Sequence, residues 1–130
     1  MPETSTAEVI RRFNDAFQQH DATILPDLVA DDCVMESIQP APNGTRYEGR
    51  DACLKFWQEL ATDPSGSFDL EDIVVAGDRA VIRWRYRFGD DDASSVRGVN
   101  LMQVRQGRIV EALGYAKTPA TTPLPADQPA

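Results

Sequence analysis

The sequence predicts an α+β domain in which helices lie to one side of an antiparallel sheet. Apolar residues recur at helical spacing only as far as Leu60, and from Ser67 to Lys117 the period switches to two. That second half is punctuated by tight-turn signals at Gly77-Asp78 and Gln106-Gly107, which fold three or four long strands back on one another.

The first helix opens at Ser5-Thr6-Ala7-Glu8, a capping box in which Ser5 and Glu8 satisfy each other's free amides. Val9, Ile10, Phe13, Ala16 and Phe17 then form one apolar stripe, and His20 is placed in solvent at the polar end. Asp21 can cap a second helix holding Ile24, Leu25, Leu28 and Val29, kept short or split by Pro26, which has no amide hydrogen. Cys33 to Ile38 reads as a strand with Met35 and Ser37 on one face and Val34, Glu36 and Ile38 on the other. Pro40, Pro42, Asn43 and Gly44 force a loop. Tyr47-Glu48-Gly49 leads into a third helix with Cys53, Phe56, Trp57 and Leu60 at i, i+3, i+4, i+7 spacing, and Asp63-Pro64-Ser65-Gly66 ends it. Strands are expected over 67–76, 79–88, 95–105 and 108–117, with Gly89 to Ala93 a solvated turn.

The strand 81–88 is the most informative stretch. Arg83, Arg85 and Arg87 share one face, and Ile82, Trp84, Tyr86 and Phe88 share the other. Two arrangements fit. Either the arginines meet solvent and the aromatic face forms the core, or the arginines look into a pocket while Trp84 and Tyr86 meet a partner subunit.

At 130 residues the chain reads as one domain, residues 1–117, with residues 118–130 a flexible Pro-, Ala- and Thr-rich tail. A formal charge of −8 argues against nucleic acid, whose affinity comes from Lys and Arg on phosphates. No apolar run approaches the ~20 residues that span a bilayer, and the N-terminus lacks the regions of a signal peptide. The expected setting is the cytoplasm, without a membrane partner. Cys33 and Cys53 are neither a disulfide framework nor a CxxC pair and read as free buried thiols.

His20 is the only histidine, so a His-dependent triad or a zinc site with several His ligands is excluded. There is no GxGxxG and no GxxxxGK[ST]. Asp31-Asp32 and Asp90-Asp91-Asp92 read as caps and solvated turns. No cofactor and no metal are implied.

Four segments carry a resemblance: Leu28-Val29-Ala30-Asp31-Asp32 before a strand, Tyr47-Glu48-Gly49-Arg50-Asp51-Ala52 opening a helix with Phe56-Trp57, Arg97-Gly98-Val99-Asn100-Leu101, and Gln106-Gly107-Arg108-Ile109-Val110-Glu111. Together, over residues 5 to 117, they resemble the SnoaL-like branch of the nuclear transport factor 2-like superfamily. The resemblance implies a cone, in which a strongly curved, mostly antiparallel sheet wraps three helices around one deep apolar pocket. It also implies a homodimer paired through the outer sheet face. The superfamily contains ketosteroid isomerases, polyketide cyclases, dehydratases, epoxide hydrolases and pure binders, so fold alone assigns no function.

The ketosteroid isomerase pattern fails when carried over. Its tyrosine falls at Phe13, its aspartate base at Ser37 and its protonated acid at Asn100, which donates a hydrogen bond but exchanges no proton. The epoxide hydrolase pattern lacks its inward acids. A general base would have to be Glu36, turned inward by a bulge, or a tyrosine.

The same alignment places Arg83, Arg85 and Arg87 on the pocket side, in register with Asn100 and Met102, with Glu71 and Glu111 as structural partners otherwise. The expected site has Asn100 and Arg83 polarising a carbonyl oxygen. Phe13, Phe17, Met35, Ser37, Phe56, Trp57, Arg85 and Met102 would hold a hydrophobic small molecule, anionic or carbonyl-bearing. Two functions remain: an isomerase-, cyclase- or lyase-like site for a hydrophobic carbonyl compound, and a non-catalytic ligand-binding or dimeric interaction module.

Overall fold

The structure, a computed structural model, describes residues 5–40 and 42–117; the expected tail over 118–130 lies outside the described residues. Helix α1 spans Thr6–Gln18, and Ser5 Oγ accepts the Glu8 amide at 3.1 Å, closing one side of the expected capping box. Its stripe, Val9, Ile10, Phe13, Ala16 and Phe17, is buried.

The expected second helix is a single 3-10 turn, Leu25–Asp27, with Pro26 in it. The chain extends immediately afterwards, and Val29–Glu36 forms β1, four residues earlier than expected. Thus the described residues contain two α-helices rather than three. Pro26 supplies no amide to a longer ladder, and the buried Leu28 and Val29 gain more by entering the core than a helical turn would return. Arg46–Glu48 forms a short strand, β2, that the sequence did not reveal, followed by α2 over Arg50–Thr62. The long strands are β3 (Ser67–Ala76), β4 (Arg79–Arg87), β5 (Ser95–Arg105) and β6 (Arg108–Ala116). At the β5–β6 turn both Gln106 and Gly107 take positive φ, the backbone that matches a two-residue hairpin to strand twist.

The strands form one open six-stranded sheet in the order β2-β1-β6-β5-β4-β3. All neighbours are antiparallel except β1 and β6, so the sheet is mixed. Register shifts at Leu70/Asp72 and Gln103/Val104 each add one residue to one strand, as bulges that bend strands and increase twist do, and the β1–β6 ladder is irregular between Val29 and Val34. The two helices lie against one face, where Trp57, Ile82, Trp84, Met102 and Ala112 join the α1 stripe in a continuous core. No helix among the described residues is long and apolar enough to cross a membrane.

The orientation of β4 decides between the two arrangements of its alternating residues. Ile82 and Trp84 are buried, while Arg83 keeps about half of its side chain exposed. The aromatic face is therefore the inner one. Desolvating three guanidiniums without three acids would cost far more than burying indole and phenol rings.

Candidate functional site

Between the two helices and the inner sheet face lies a cavity of about 490 Å³. Nine aromatic residues stand in its wall. Phe13 meets Trp57 edge-on at 5.0 Å between centroids, Phe17 meets Phe68 at 5.6 Å, and Phe68 packs edge-on against Trp84 at 5.6 Å. Such tilted contacts fill space around the cavity while presenting ring edges and faces to it.

Asn100 on β5 stands in this wall, between Ile82 on β4 and Gly114 on β6. Its Oδ1 accepts the indole N–H of Trp84 at 3.2 Å. Gly114 leaves open the space beside it: a Cβ there would lie 3.5 Å from Asn100 Oδ1. Asn14 and Tyr86 also line the cavity, with the Tyr86 hydroxyl packed close against Gly66. Burial, and secondarily the charge of Asp63, pushes the Tyr86 phenol above its usual range, so it stays protonated at neutral pH.

Of the residues expected in the site, Phe13, Phe17, Met35, Ser37, Phe56, Trp57 and Asn100 line the cavity. The Ser37 hydroxyl is already engaged, donating to the Gln39 carbonyl at 2.9 Å and accepting from the Thr45 amide at 3.3 Å. Its chemistry is that of a loop clamp.

Arg83, Arg85 and Met102 are placed elsewhere. Arg83 pairs across the sheet with Val99, one residue from the expected register with Asn100. A one-residue offset on a strand reverses the face. Arg83 and Arg85 approach Glu71 at 4.0 Å on the outer face, where Arg97 also donates to Glu71 through Nε and Nη2 at 3.1 and 2.9 Å. Arg87 pairs with Asp69 and Asp92. Met102 is 1% exposed and belongs to the packed core. Trp84 and Tyr86, expected at a subunit interface if the arginines faced inward, instead face the cavity.

Glu36, Tyr47 and Tyr86 are the only ionisable residues in the cavity wall among the described residues. Met35 pairs with Tyr47 and Glu36 with Arg46, so the pleat that turns Met35 inward turns Glu36 outward. Its carboxylate meets Arg46 at 3.3 Å, and its carbonyl oxygen is what approaches Gly114. The irregular register of β1 lies upstream, between Val29 and Val34, and does not bring this carboxylate inside. Among the described residues no three His, Cys, Asp or Glu side chains gather as a metal would require.

Sequence reasoning missed the cavity roles of Phe68, Trp84, Tyr86, Asn14 and Gly114. Trp84 and Tyr86 were visible as an alternating face whose side the sequence left open; nothing local marked Asn14 or Gly114.

The SnoaL-like domain family matches residues 10–112. The crystal structure of an NTF2-like protein of unknown function from Mesorhizobium loti is 55% identical, with a TM-score of 0.83 over 91% of this chain and 98% of that one. A steroid delta-isomerase from Pseudomonas aeruginosa is 18% identical with a TM-score of 0.72, over 89% of this chain and 82% of that one. A polyketide cyclase-like protein from Sinorhizobium meliloti is 24% identical with a TM-score of 0.66, over 82% and 92% of the two chains. The last two similarities are of fold alone. No curated protein matches the chain.

Proposed function

The chain belongs to the SnoaL-like domain family, and from that premise we propose that its cavity binds an uncharged, hydrophobic carbonyl compound and polarises the carbonyl oxygen through the Asn100 amide. The observation that carries this reading is the wall itself: aromatic rings surround a space whose polar side chains are amides, hydroxyls and phenols, with no charged head turned inward among the described residues. A carboxylate or ammonium entering it would lose its hydration without gaining a counter-ion. A ketone loses little, and one neutral donor satisfies it.

An isomerase- or cyclase-like reaction fits this arrangement, because hydrogen bonding to an oxygen that gains negative charge stabilises an enolate-like transition state. The structural relatives include a steroid delta-isomerase and a polyketide cyclase-like protein, and cyclisation asks less of the wall than isomerisation does. Moving a proton between carbons needs a base, whereas a cyclising chain can carry a hydroxyl nucleophile whose proton passes to the carbonyl oxygen as that oxygen becomes the new hydroxyl. The outward turn of Glu36 favours a second reading, a binding protein without turnover.

The test is a thermal-shift and fluorescence titration with matched hydrophobic ketones and carboxylic acids, with Trp57 and Trp84 as reporters in the cavity wall. Ketones are expected to raise the melting temperature and the acids to leave it unchanged, and Asn100→Leu is expected to weaken ketone binding about tenfold. Preference for the acids overturns the proposal. Product formation from any ketone that binds, followed by mass spectrometry, decides between catalysis and binding.

A further inference from the structure

Resting on that reading of the cavity, we propose that Trp84 is a positioning residue that makes the site selective for hydrogen-bond acceptors over hydrogen-bond donors. An isolated asparagine amide presents either its oxygen or its nitrogen after a half turn, and the two orientations have nearly the same shape. Here the ambiguity is removed by chemistry. An indole N–H only donates, so the Asn100 atom 3.2 Å from Trp84 Nε1 is the oxygen. The amide nitrogen is left as the end of Asn100 that can meet a ligand, and it offers hydrogens only.

The indole is itself held. Trp84 pairs across the strands with Gly98, and a Cβ on Gly98 would lie 2.5 Å from Trp84 Cη2 and 2.5 Å from the Tyr115 carbonyl oxygen. The ring thus occupies space that only glycine leaves. On its other side Phe68 meets it edge-on at 85°. The ring is 7% exposed as part of the core, held against Asn100 between Gly98 and Phe68. The sequence feature behind ligand choice is then the set Gly98, Trp84 and Asn100, in which Gly98 seats the indole, the indole turns the amide, and the amide selects the ligand.

The test uses three probes of nearly one shape: 9-fluorenone, which only accepts, carbazole, which only donates through its N–H, and fluorene, which does neither. The wild-type protein is expected to bind fluorenone several-fold more tightly than carbazole or fluorene. In Trp84→Phe the amide is free to turn, so the fluorenone-to-carbazole affinity ratio falls toward unity, whatever loss of contact weakens all three together. A structural role for the indole alone would leave that ratio unchanged. A second measurement needs no ligand: in ligand-free protein the Trp84 indole proton resonance moves upfield in Asn100→Leu while that of Trp57 stays. An unchanged ratio in Trp84→Phe overturns this inference while leaving the carbonyl-compound reading intact. An unmoved indole resonance overturns it too. If fluorene and carbazole bind the wild type as tightly as fluorenone, both readings fall together, as they do if none of the three binds.

Discussion

Gly114→Ala adds one methyl group to the wall beside Asn100, and its consequences follow from three distances. A Cβ at Gly114 would lie 3.1 Å from the Glu36 carbonyl oxygen, 3.2 Å from Ile38 Cγ2 and 3.5 Å from Asn100 Oδ1. Gly114 is not among the residues at positive φ, so contact rather than backbone strain decides the outcome. The Asn100 contact is ordinary, but the first two are tighter than ordinary van der Waals contact. The Glu36 carbonyl cannot step aside alone, because Glu36 is registered against Leu113 in the parallel β1–β6 ladder. Relief therefore requires β1 and β6 to part by a few tenths of an ångström. Overpacking of this kind costs about 1–3 kcal/mol, and the lower half of that range suits a single methyl with one yielding side chain. Removing a glycine from the unfolded chain returns roughly 0.4–1 kcal/mol, so the net loss is about 1 kcal/mol. For a domain of this size that is a fall of about 3–5 °C in melting temperature. The same methyl lies beside the Asn100 oxygen, the end turned to Trp84, and leaves the nitrogen clear, so fluorenone and fluorene affinities fall by a similar factor. Urea unfolding and a fluorescence titration of the two probes measure both effects. An alanine variant as stable as wild type would refute the close packing of Gly114 against β1.

The outer face makes its own prediction about acid. Hydrogen bonds from Arg97, and then the charges of Arg97, Arg85 and Arg83, hold the Glu71 carboxyl below the usual glutamate range. A depressed folded pKa means that the unfolded state binds the proton more readily. Its contribution is complete above the unfolded value of about 4.3 and is lost as pH falls through the folded value. Urea midpoints from pH 7 to pH 3 should show wild type and Glu71→Gln converging in acid; a constant gap would remove Glu71 from the acid limb. Burial pushes the Cys33 thiol, and less strongly that of Cys53, above the ordinary thiol range, and Cys53 Sγ sits 3.5 Å from the Cys33 carbonyl oxygen. Both should react with a disulfide reagent far more slowly in native protein at pH 8 than in urea, and equal rates would refute their enclosure. Leu101 and Tyr115, 38% and 55% exposed on the outer face, are proposed to meet a second copy of this chain. Light scattering should give twice the chain mass for wild type and the single mass for Leu101→Glu with unchanged circular dichroism; a monomeric wild type would remove that interface.

The repeating parts of the fold were legible because local chemistry and tertiary position agree. Ser5 and Glu8, the stripe from Val9 to Phe17, and the turn at Gln106-Gly107 each satisfy a local requirement, and each sits where that requirement predicts. The segment from Asp21 to Val29 was not, because its apolar residues fit a helical stripe and an extended entry into the core equally well until Pro26 is placed. Tyr47 looked like a helix approach because a three-residue edge strand is too short to show a period. The side that β4 turns inward was left open for a different reason. A period of two separates Arg83 and Arg85 from Trp84 and Tyr86 without saying which set is inside. The cost of burying guanidiniums would have settled it, and the family alignment, one residue out of register on β5, pulled the other way. The lining of the site was legible from the helices and β1, since Phe13, Phe17, Met35, Phe56 and Trp57 follow from amphipathic patterns. The glycines and the bond between Trp84 and Asn100 depend on cross-strand register, which no single segment encodes.

An amide rather than an acid at position 100 has a kinetic signature. An acid at that position would make any reaction depend on its protonation, whereas an amide does not titrate. The ionisable groups of the described wall do not supply that dependence either, since Glu36 faces Arg46 and Tyr86 is held above its usual range. A carbonyl compound turned over here should therefore show a kcat nearly independent of pH from about 6 to 8, falling only where the fold fails in acid. The stabilisation available from one fixed neutral donor is of the order of 10²–10³ in rate, so Asn100→Leu should lower kcat by that factor. The change in KM should be smaller, because the bond strengthens as charge gathers on oxygen. A bell-shaped profile with a limb between pH 5 and 7 would place a working carboxylate in the cavity. It would show that Glu36 turns inward when substrate binds, and that the amide is not the whole of the chemistry.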